Sequence, residues 1–216
     1  MLLYGHPFSA YHQKALIAFY EHSVPFELRL LEHDDPQTAA EHAALWPLKR
    51  MPVLVDAGRT VLESSIIIEY LDLHHPGPAR LIPENPDHAL EARMMDRFFD
   101  NYVMAPMQAL VFDAIRKPEH RNAQSVAEAK TMLETAYRWL DGVMARCEWS
   151  AGGFSLADCA AAPALFYADW AHPINAALSH VHAYRRRLLA RPSFARAVDE
   201  ARPYRPLFPL GAPDRD

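Results

Sequence analysis

The stretch RMPVLVDAGRTVLESSIIIEYL, residues 50–71, contains the features that decide the fold. Two short apolar segments, 53–55 and 60–63, flank the turn sequence DAGR, and this pattern predicts a β-hairpin with a short loop. Helically spaced apolar residues follow at 65–74 and predict an amphipathic helix. Pro52 stands at the start of the first strand, where proline is tolerated because it has no N–H to donate to a sheet ladder.

The residues ahead of the hairpin alternate between strand and helix patterns. Together with the hairpin and its helix they give the order βαβαββα. This order predicts a parallel βαβ unit joined to an antiparallel hairpin, and hence a mixed four-stranded sheet. The predicted elements ahead of the hairpin are a strand at 2–4, a helix at 12–22, a strand at 26–31 and a helix at 38–46.

The character of the sequence changes after the hairpin. HHPGPARLIPENPD, residues 74–87, contains four prolines and one glycine and indicates a linker. No strand pattern follows it, so we predict an α/β domain at 1–76, a linker at 77–87 and an all-α helical bundle at 88–216. The helices of this bundle are predicted at 88–116, 123–147, 156–171, 175–190 and 193–201.

The composition disfavours several classes of protein. The formal net charge is −5 and Lys and Arg are dispersed, so the basic excess of a nucleic-acid-binding protein is absent. No apolar run approaches the roughly 20 residues of a membrane span, and the first residues lack a signal-peptide pattern. Cys147 and Cys159 form no disulfide framework, which favours a reducing, cytoplasmic location. The histidines, including His33 and the pair His74–His75, lack metal-ligand spacing, so we predict no metal.

Features of the opening stretch together describe a cradle for a small peptide. A cis bond between Met51 and Pro52 would turn the Met51 backbone outward, where it could pair with an extended peptide. The sequence does not distinguish cis from trans. The N–H and hydroxyl of Ser64 at a helix N-terminus suit a carboxylate, and Glu63 would attract an ammonium group. The alternative interpretation is that Ser64 only caps its helix and Pro52 only stops a strand.

These residues resemble the N-terminal domain of cytosolic glutathione transferases. The resemblance rests on LYGHPFS (3–9), PLKRMPVL (47–54) and LESSIIIEYL (62–71), and in the helical part on SLAD (155–158), a capping box. It covers the whole chain and implies a thioredoxin-like domain, a linker and an all-helical domain. Ser9 further resembles the serine of the theta- and zeta-like bacterial members.

The resemblance implies that glutathione is the co-substrate. The backbone of Met51 would pair with its cysteinyl part, and Glu63 and Ser64 would hold its γ-glutamyl end. Arg50 would lie near the glycyl carboxylate, and Gln37 would add a polar contact from the second helix. The implied glutathione-binding residues are therefore Gln37, Arg50, Met51, Pro52, Glu63 and Ser64.

Ser9 is the candidate for activating the thiol of glutathione. The sulfur attacks as a thiolate, and an unperturbed thiol has a pKa of about 8.5. A hydroxyl at the start of the first helix lowers that pKa by donating a hydrogen bond to the sulfur. The resemblance gives this role to Ser9, with Tyr11 as the alternative donor. The other interpretation of Ser9 is a simple N-cap.

The electrophile pocket is expected between the domains, from residues 9–11 and the first long helix of the bundle. Tyr11, Phe99 and Tyr102 are the candidates for its lining. The resemblance thus implies a glutathione transferase that acts on a small hydrophobic electrophile, in the homodimer usual for the family. The alternatives are a glutathione-dependent isomerase or dehalogenase, and a non-catalytic interaction or ligand-binding module of the same fold.

Overall fold

The computed structural model describes residues 1–32, 34–78 and 80–216, so that His33 and the linker position Ala79 lie outside the described residues. The N-terminal part contains β1 (Leu2–Gly5), α1 (Ala10–Glu21), β2 (Glu27–Leu30), α2 (Pro36–Leu45), β3 (Val53–Asp56), β4 (Arg59–Leu62) and α3 (Ser64–His74). The helical part contains α4 (Pro86–Phe98), a π-helical segment (Phe99–Met104), α5 (Ala105–Ile115), α6 (Ala123–Met144), α7 (Leu156–Ala171), α8 (Ser179–Leu189) and α9 (Pro192–Ala201), with short 3₁₀ turns at Pro118–His120 and Arg202–Leu207.

The strands form a mixed sheet in the order β2–β1–β3–β4, which confirms the predicted fold class. β1 is parallel to β2, and β3 is antiparallel to both β1 and β4. Ala57 and Gly58 join β3 to β4 with φ angles of 48° and 83°. Two consecutive left-handed residues are what a type I′ hairpin turn requires, so the predicted short hairpin is confirmed.

The strand register determines which loops lie together. Tyr4 of β1 lies opposite Val53 of β3, and Val53 lies opposite Leu62 of β4. The residues that follow β1, precede β3 and follow β4 therefore emerge at one edge of the sheet, which we call the site edge.

The prediction of one continuous helix at 88–116 is wrong, because the structure divides this segment into α4, a π-helical segment and α5. A π-helical segment separates α4 from α5, and the N–H of Ala105 donates to the Asp100 carbonyl five residues earlier. Pro106 supplies the physical reason. It has no N–H to donate to the Tyr102 carbonyl, and its ring would clash with that carbonyl in a regular α-helix. The widened turns lie directly ahead of this proline.

Side-chain caps set two helix starts that the apolar spacing misplaced. α2 begins at Pro36 rather than at 38, because the Asp35 side chain accepts a hydrogen bond from the Thr38 N–H at 3.0 Å. α8 begins at Ser179 rather than at 175, because Asp141 of α6 accepts from two N–H groups of its first turn at 2.9 and 3.0 Å.

Helix α1 is the element shared by both parts of the chain. It packs against α3 on the sheet side and against α7 and α9 of the helical part. One cluster of buried apolar side chains runs from β1 through α1 into α7 and α9, so the two parts share a core. Among the described helices, none has both the length and the hydropathy needed to cross a membrane.

His12 of α1 is buried without partners. Its side chain is fully buried, and neither ring nitrogen has a hydrogen-bond partner among the described residues. The ring occupies the space beside Gly5, where an added Cβ would lie 2.0 Å from Nδ1 of His12. Burial, with a smaller contribution from His6, lowers the pKa of His12 from 6.5 to about 3.

We therefore expect His12 to make the fold sensitive to acid. Because its pKa is lowered in the folded state, the unfolded chain takes up the proton first, and stability present above pH 6.5 is lost as the pH falls towards about 3. At about pH 5 the loss reaches about 2 kcal/mol, since each pH unit below the ordinary pKa is worth about 1.4 kcal/mol. Urea unfolding of wild type and His12→Met at neutral and acidic pH measures this difference.

His12→Met replaces the imidazole with an apolar side chain of similar size that does not titrate, so the stability of this variant should change less with pH. His22, whose pKa burial also lowers, is present in both proteins and cancels in the comparison. Parallel pH dependences for the two proteins would contradict the prediction.

Candidate functional site

Three backbone segments, 6–9, 51–52 and 63–64, meet at the site edge. The first connects β1 to α1, the second leads into β3, and the third connects β4 to α3. The antiparallel pairing of β3 with both of its neighbours is the reason for this convergence. The fold thus brings to one edge Ser9 and the two residue pairs that the sequence assigned to a peptide cradle.

The bond between Met51 and Pro52 is cis, which answers the question that the sequence left open. Pro52 is buried, and the β3 ladder begins only at Val53, so Met51 lies outside that ladder. The carbonyl oxygen of Arg50 lies 2.9 Å from Nε2 of His42, while the Arg50 side chain is exposed. The segment is therefore anchored on one side and open on the other.

Glu63 and Ser64 begin helix α3 in an unusual conformation. Glu63 has a φ of 68°, a left-handed value that non-glycine residues seldom adopt, and such backbone strain concentrates at functional sites. Its side chain is exposed and makes no capping hydrogen bond, so the carboxylate remains open to a ligand. Ser64 is buried in the first turn of α3, where the free N–H groups and the helix dipole attract an anion.

Ser9 and Tyr11 lie at the start of α1. Ser9 occupies the N-cap position with an extended backbone, but its side chain makes no capping hydrogen bond. Its N–H donates to the His6 carbonyl at 2.9 Å, which closes the loop ahead of the helix. Tyr11 is partly buried, and burial, followed by the carboxylate of Asp100, raises its pKa above the usual range. The phenol of Tyr11 therefore stays protonated.

A buried group of charged side chains lies beside these residues, and the sequence analysis did not identify it. We call it the Lys14 cluster, and it consists of Lys14, Ser65, Asp96, Arg97 and Asp100. Nζ of Lys14 lies 2.6 Å from Asp96 and 2.9 Å from Asp100, and it donates to the Ser65 hydroxyl at 2.9 Å. The side chains of Lys14 and Asp96 are only 1% and 3% exposed, whereas that of Arg97 is 55% exposed.

Arg97, the exposed member of the Lys14 cluster, interacts electrostatically with Glu63. Burial opposes the charge of the Arg97 guanidinium, but the carboxylates of Asp96, Asp100 and Glu63 outweigh it and raise the pKa of Arg97. Glu63 likewise contributes to the raised pKa of Tyr11. Glu63, Tyr11 and Arg97 are thus close enough to influence one another. One signal in the sequence could have indicated part of the cluster: Asp100 follows Asp96 by four residues and Arg97 by three, the spacings at which helix side chains meet.

The remaining predicted site residues are exposed on helices or buried in the core. Gln37 is exposed on α2, and its amide donates to Glu41 of the same helix at 3.3 Å. Phe99 is fully buried, so its predicted place in a pocket lining is wrong; the π-helical segment packs against α7 and takes this ring into the core. Tyr102 is 48% exposed, and its ring centroid lies 6.0 Å from that of Phe98.

Aromatic residues that the sequence analysis did not consider lie around the loop that carries Ser9. The rings of His6 and Tyr204 meet edge-on with centroids 4.5 Å apart. Phe8 packs against Tyr167 of α7 at 5.4 Å and against Phe208 at 6.5 Å. An apolar wall beside the loop is therefore built from α7 and the residues that follow α9.

Metal and thiol chemistry have no visible basis in the part of the chain that the structure describes. No group of three or more His, Cys, Asp or Glu side chains there is arranged to hold a metal ion. Cys147 and Cys159 are unpaired, and burial raises the pKa of each thiol, which keeps both in the unreactive protonated form.

Comparison with known proteins places this geometry in a family. The family model for the N-terminal domain of glutathione S-transferase matches residues 3–79, and that for the C-terminal domain matches residues 103–192. Glutathione S-transferase 4 of Zea mays is 30% identical over 206 residues, which span 88% of each chain. The chain belongs to the glutathione S-transferase family.

Other known proteins match this chain to different extents. A glutathione S-transferase structure from Methylobacterium radiotolerans in complex with glutathione sulfonate has a TM-score of 0.79 and 32% identity, covering 91% of this chain and 93% of that one. A stringent starvation protein A homologue of Haemophilus ducreyi is 28% identical over 94% of this chain and 92% of its own length. A probable rice transferase, GSTU6, is 35% identical over 46% of this chain. The matched segments cover about two fifths to one half of the length of GSTU6 and of two further plant relatives.

Proposed function

We propose that this protein is a glutathione transferase, which binds glutathione at the site edge and activates its thiol for attack on a small hydrophobic electrophile. The observation that carries the proposal is the Glu63–Ser64 pair. Glu63 has a strained backbone, and its carboxylate makes no hydrogen bond to the N-terminus of α3, which begins at the next residue. An amino acid end has an ammonium group and a carboxylate on one carbon, and this pair offers a partner to each.

The remainder of glutathione fits the neighbouring segments. The backbone of Met51, beside the cis Pro52, would pair with the cysteinyl residue as an added strand does. The exposed side chain of Arg50 would meet the glycyl carboxylate. Arg97, which lies near Glu63, is a further cation within reach of the γ-glutamyl end. Gln37 has the weakest support, because its amide is bonded to Glu41 within its own helix.

Ser9 is the better candidate than Tyr11 for activating the thiol, so we propose a serine-type enzyme. The Ser9 hydroxyl makes no capping bond, which leaves it available to donate to a sulfur. Tyr11 has its pKa raised by burial and by Asp100, so its phenol is a weaker acid in a region of negative potential. A glutathione thiolate beside Tyr11 would be repelled by the carboxylates of Asp100, Glu63 and Asp96, which also raise the pKa of Tyr11. Tyr11 and the half-exposed Tyr102 remain candidates for contact with the electrophile.

We place the reaction in the cytoplasm, where glutathione keeps thiols reduced. The non-catalytic alternative has one observation in its favour: a relative of nearly full length, the Haemophilus ducreyi homologue, is named a stringent starvation protein and not a transferase. Turnover of an electrophile distinguishes the two. A glutathione-dependent isomerase or dehalogenase would share the same cradle and differ only in the electrophile.

The first test is the affinity for glutathione. Titration calorimetry of wild type should show micromolar-to-millimolar binding, and Glu63→Gln should weaken it about tenfold or more, because a hydrogen bond to a charged group is worth roughly 1.5–3 kcal/mol. Glu128→Gln, on the exposed face of α6, is the matched control and should bind as wild type. Equal affinity of wild type and Glu63→Gln would show that the cradle is misassigned.

The second test separates the two hydroxyl donors. Ser9→Ala should slow conjugation of a model electrophile about tenfold or more at neutral pH, because the sulfur loses a hydrogen bond worth about 1.5 kcal/mol or more. Tyr11→Phe should change the rate less. The reverse order of the two variants would assign activation to Tyr11 instead.

We also propose that two copies of this chain associate through α3 and the start of α4. A groove of about 510 Å³ lies there, with Ile66 and Leu73 on its wall 52% and 74% exposed, and Leu90 of α4 is 67% exposed. Arginines and glutamates border this apolar strip, as charged residues border the apolar centre of many protein interfaces.

Light scattering tests this association. Wild type should have the mass of two chains, and Leu73→Glu should reduce it to one, because a carboxylate would be buried in an apolar contact. Leu207→Glu, at a leucine that is 62% exposed and lies after α9, should leave the mass unchanged. A wild-type protein with the mass of one chain would refute the proposed contact.

A further inference from the structure

Gln13 connects the loop that carries Ser9 to the helical domain. It lies one turn into α1, where its N–H donates to the Ser9 carbonyl at 2.9 Å, and its side chain is fully buried. Nε2 of Gln13 donates to the Pro7 carbonyl and to the Tyr167 hydroxyl, each at 2.9 Å. Since Pro7 stands two residues before Ser9 and Tyr167 belongs to α7, one side chain bridges the loop and the other domain.

The partners of Gln13 fix the direction of its amide. Turned over, its oxygen would face the Pro7 carbonyl oxygen, and two acceptors cannot bond to each other. In the observed direction Oε1 is buried and has no hydrogen-bond partner among the described residues. Burying this unpaired oxygen costs stability. The advantage of a glutamine at this position therefore lies in the two hydrogen bonds that its NH₂ group donates.

The loop has few other polar ties. The Ser9 N–H donates to the His6 carbonyl at 2.9 Å, and the Phe8 N–H donates to Nδ1 of His6 at 3.1 Å. Both bonds join residues of the loop itself. Phe8 also packs edge-on against the Tyr167 ring. Burial raises the pKa of Tyr167, so its hydroxyl stays neutral and accepts from Gln13 at any physiological pH. Among the described residues, Gln13 and Tyr167 therefore form the polar link between this loop and α7.

We propose that Gln13 is a positioning residue for thiol activation, which holds the Pro7–Ser9 backbone against α7 and so keeps the Ser9 hydroxyl in place beside the bound thiol. This inference rests on the proposed function, because it gives Gln13 a role only in a protein that binds glutathione and uses Ser9. The glutathione cradle is built by other segments, at Met51 and Glu63–Ser64. Loss of the Gln13 bonds should therefore affect activation of the thiol far more than binding.

The test compares two variants with a control. Gln13→Met keeps the length of the side chain but loses both donors, and Tyr167→Phe removes only the link to α7. Gln124→Met, an exposed glutamine of α6, is the matched control. The ultraviolet absorbance of the bound thiolate, followed against pH, gives the pKa of the glutathione thiol on each protein.

We expect Gln13→Met to raise the pKa of the bound thiol by about one unit and to lower kcat at neutral pH about tenfold, because a displaced hydroxyl no longer stabilises the thiolate. KM for glutathione should change less than about twofold. Tyr167→Phe should give a smaller shift of the same sign, and Gln124→Met none. In the ligand-free protein, the amides of Phe8, Ser9 and Ala10 should exchange hydrogen faster in Gln13→Met than in wild type.

A merely structural glutamine would lower the melting temperature and leave the pKa of the bound thiol unchanged, and this result overturns the inference. Unchanged amide exchange in the loop overturns it as well. If Gln13→Met does not fold, the thiol pKa on Tyr167→Phe decides. A wild-type protein that binds no glutathione refutes the proposed function and the inference with it, whereas binding without any effect of Gln13 or Tyr167 overturns the inference alone.

Discussion

The ion pair between Lys14 and Asp96 is the interaction on which the rest of the site depends. Nζ and the carboxylate lie 2.6 Å apart in side chains that are almost fully buried, and Asp100 and Ser65 complete the surroundings of the ammonium group. Such a pair offsets the desolvation of its charges only when all its hydrogen bonds are made, and loss of one partner typically costs about 3–5 kcal/mol. Because Lys14 belongs to α1 and Asp96 to α4, the pair fixes the two domains against each other beside the site.

Three polar side chains of helix α1 bond to the helical domain. Gln13 bonds to Tyr167 near its start, Lys14 bonds to α4 one residue later, and Glu21 at its end makes a two-pronged ion pair with Arg191, with oxygen–nitrogen distances of 2.7 and 2.6 Å. Apolar packing holds the domains together. The hydrogen bonds and ion pairs are directional, so they also fix the rotation of α1 about its axis and its position along that axis relative to the helical domain. The position of the loop before α1, and of the Ser9 hydroxyl, follows from that placement.

Local patterns predicted the sheet and the hairpin because those features depend on short-range chemistry: alternating apolar residues, the Ala57–Gly58 turn, and Pro52 at a strand start. The Lys14 cluster could not be predicted in the same way. Lys14 and Asp100 are 86 residues apart, and a lysine within an apolar helix gives no hint of the acid that it will meet. The core position of Phe99 depends on the π-helical turns ahead of Pro106, which helical spacing does not anticipate.

The ends of the helices show where the chain leaves groups open for a ligand. Away from the site edge, α2, α4 and α6 begin with side chains that accept from their free N–H groups, at Asp35, Asn85 and Asn122. α1 and α3 begin at the site edge with Ser9 and Glu63, and neither side chain caps its helix. The first N–H groups of a helix need acceptors, and the side chains of Ser9 and Glu63 do not supply them. An anionic peptide seated at this edge would supply such an acceptor to α1 and α3, the two helices that begin beside Pro52.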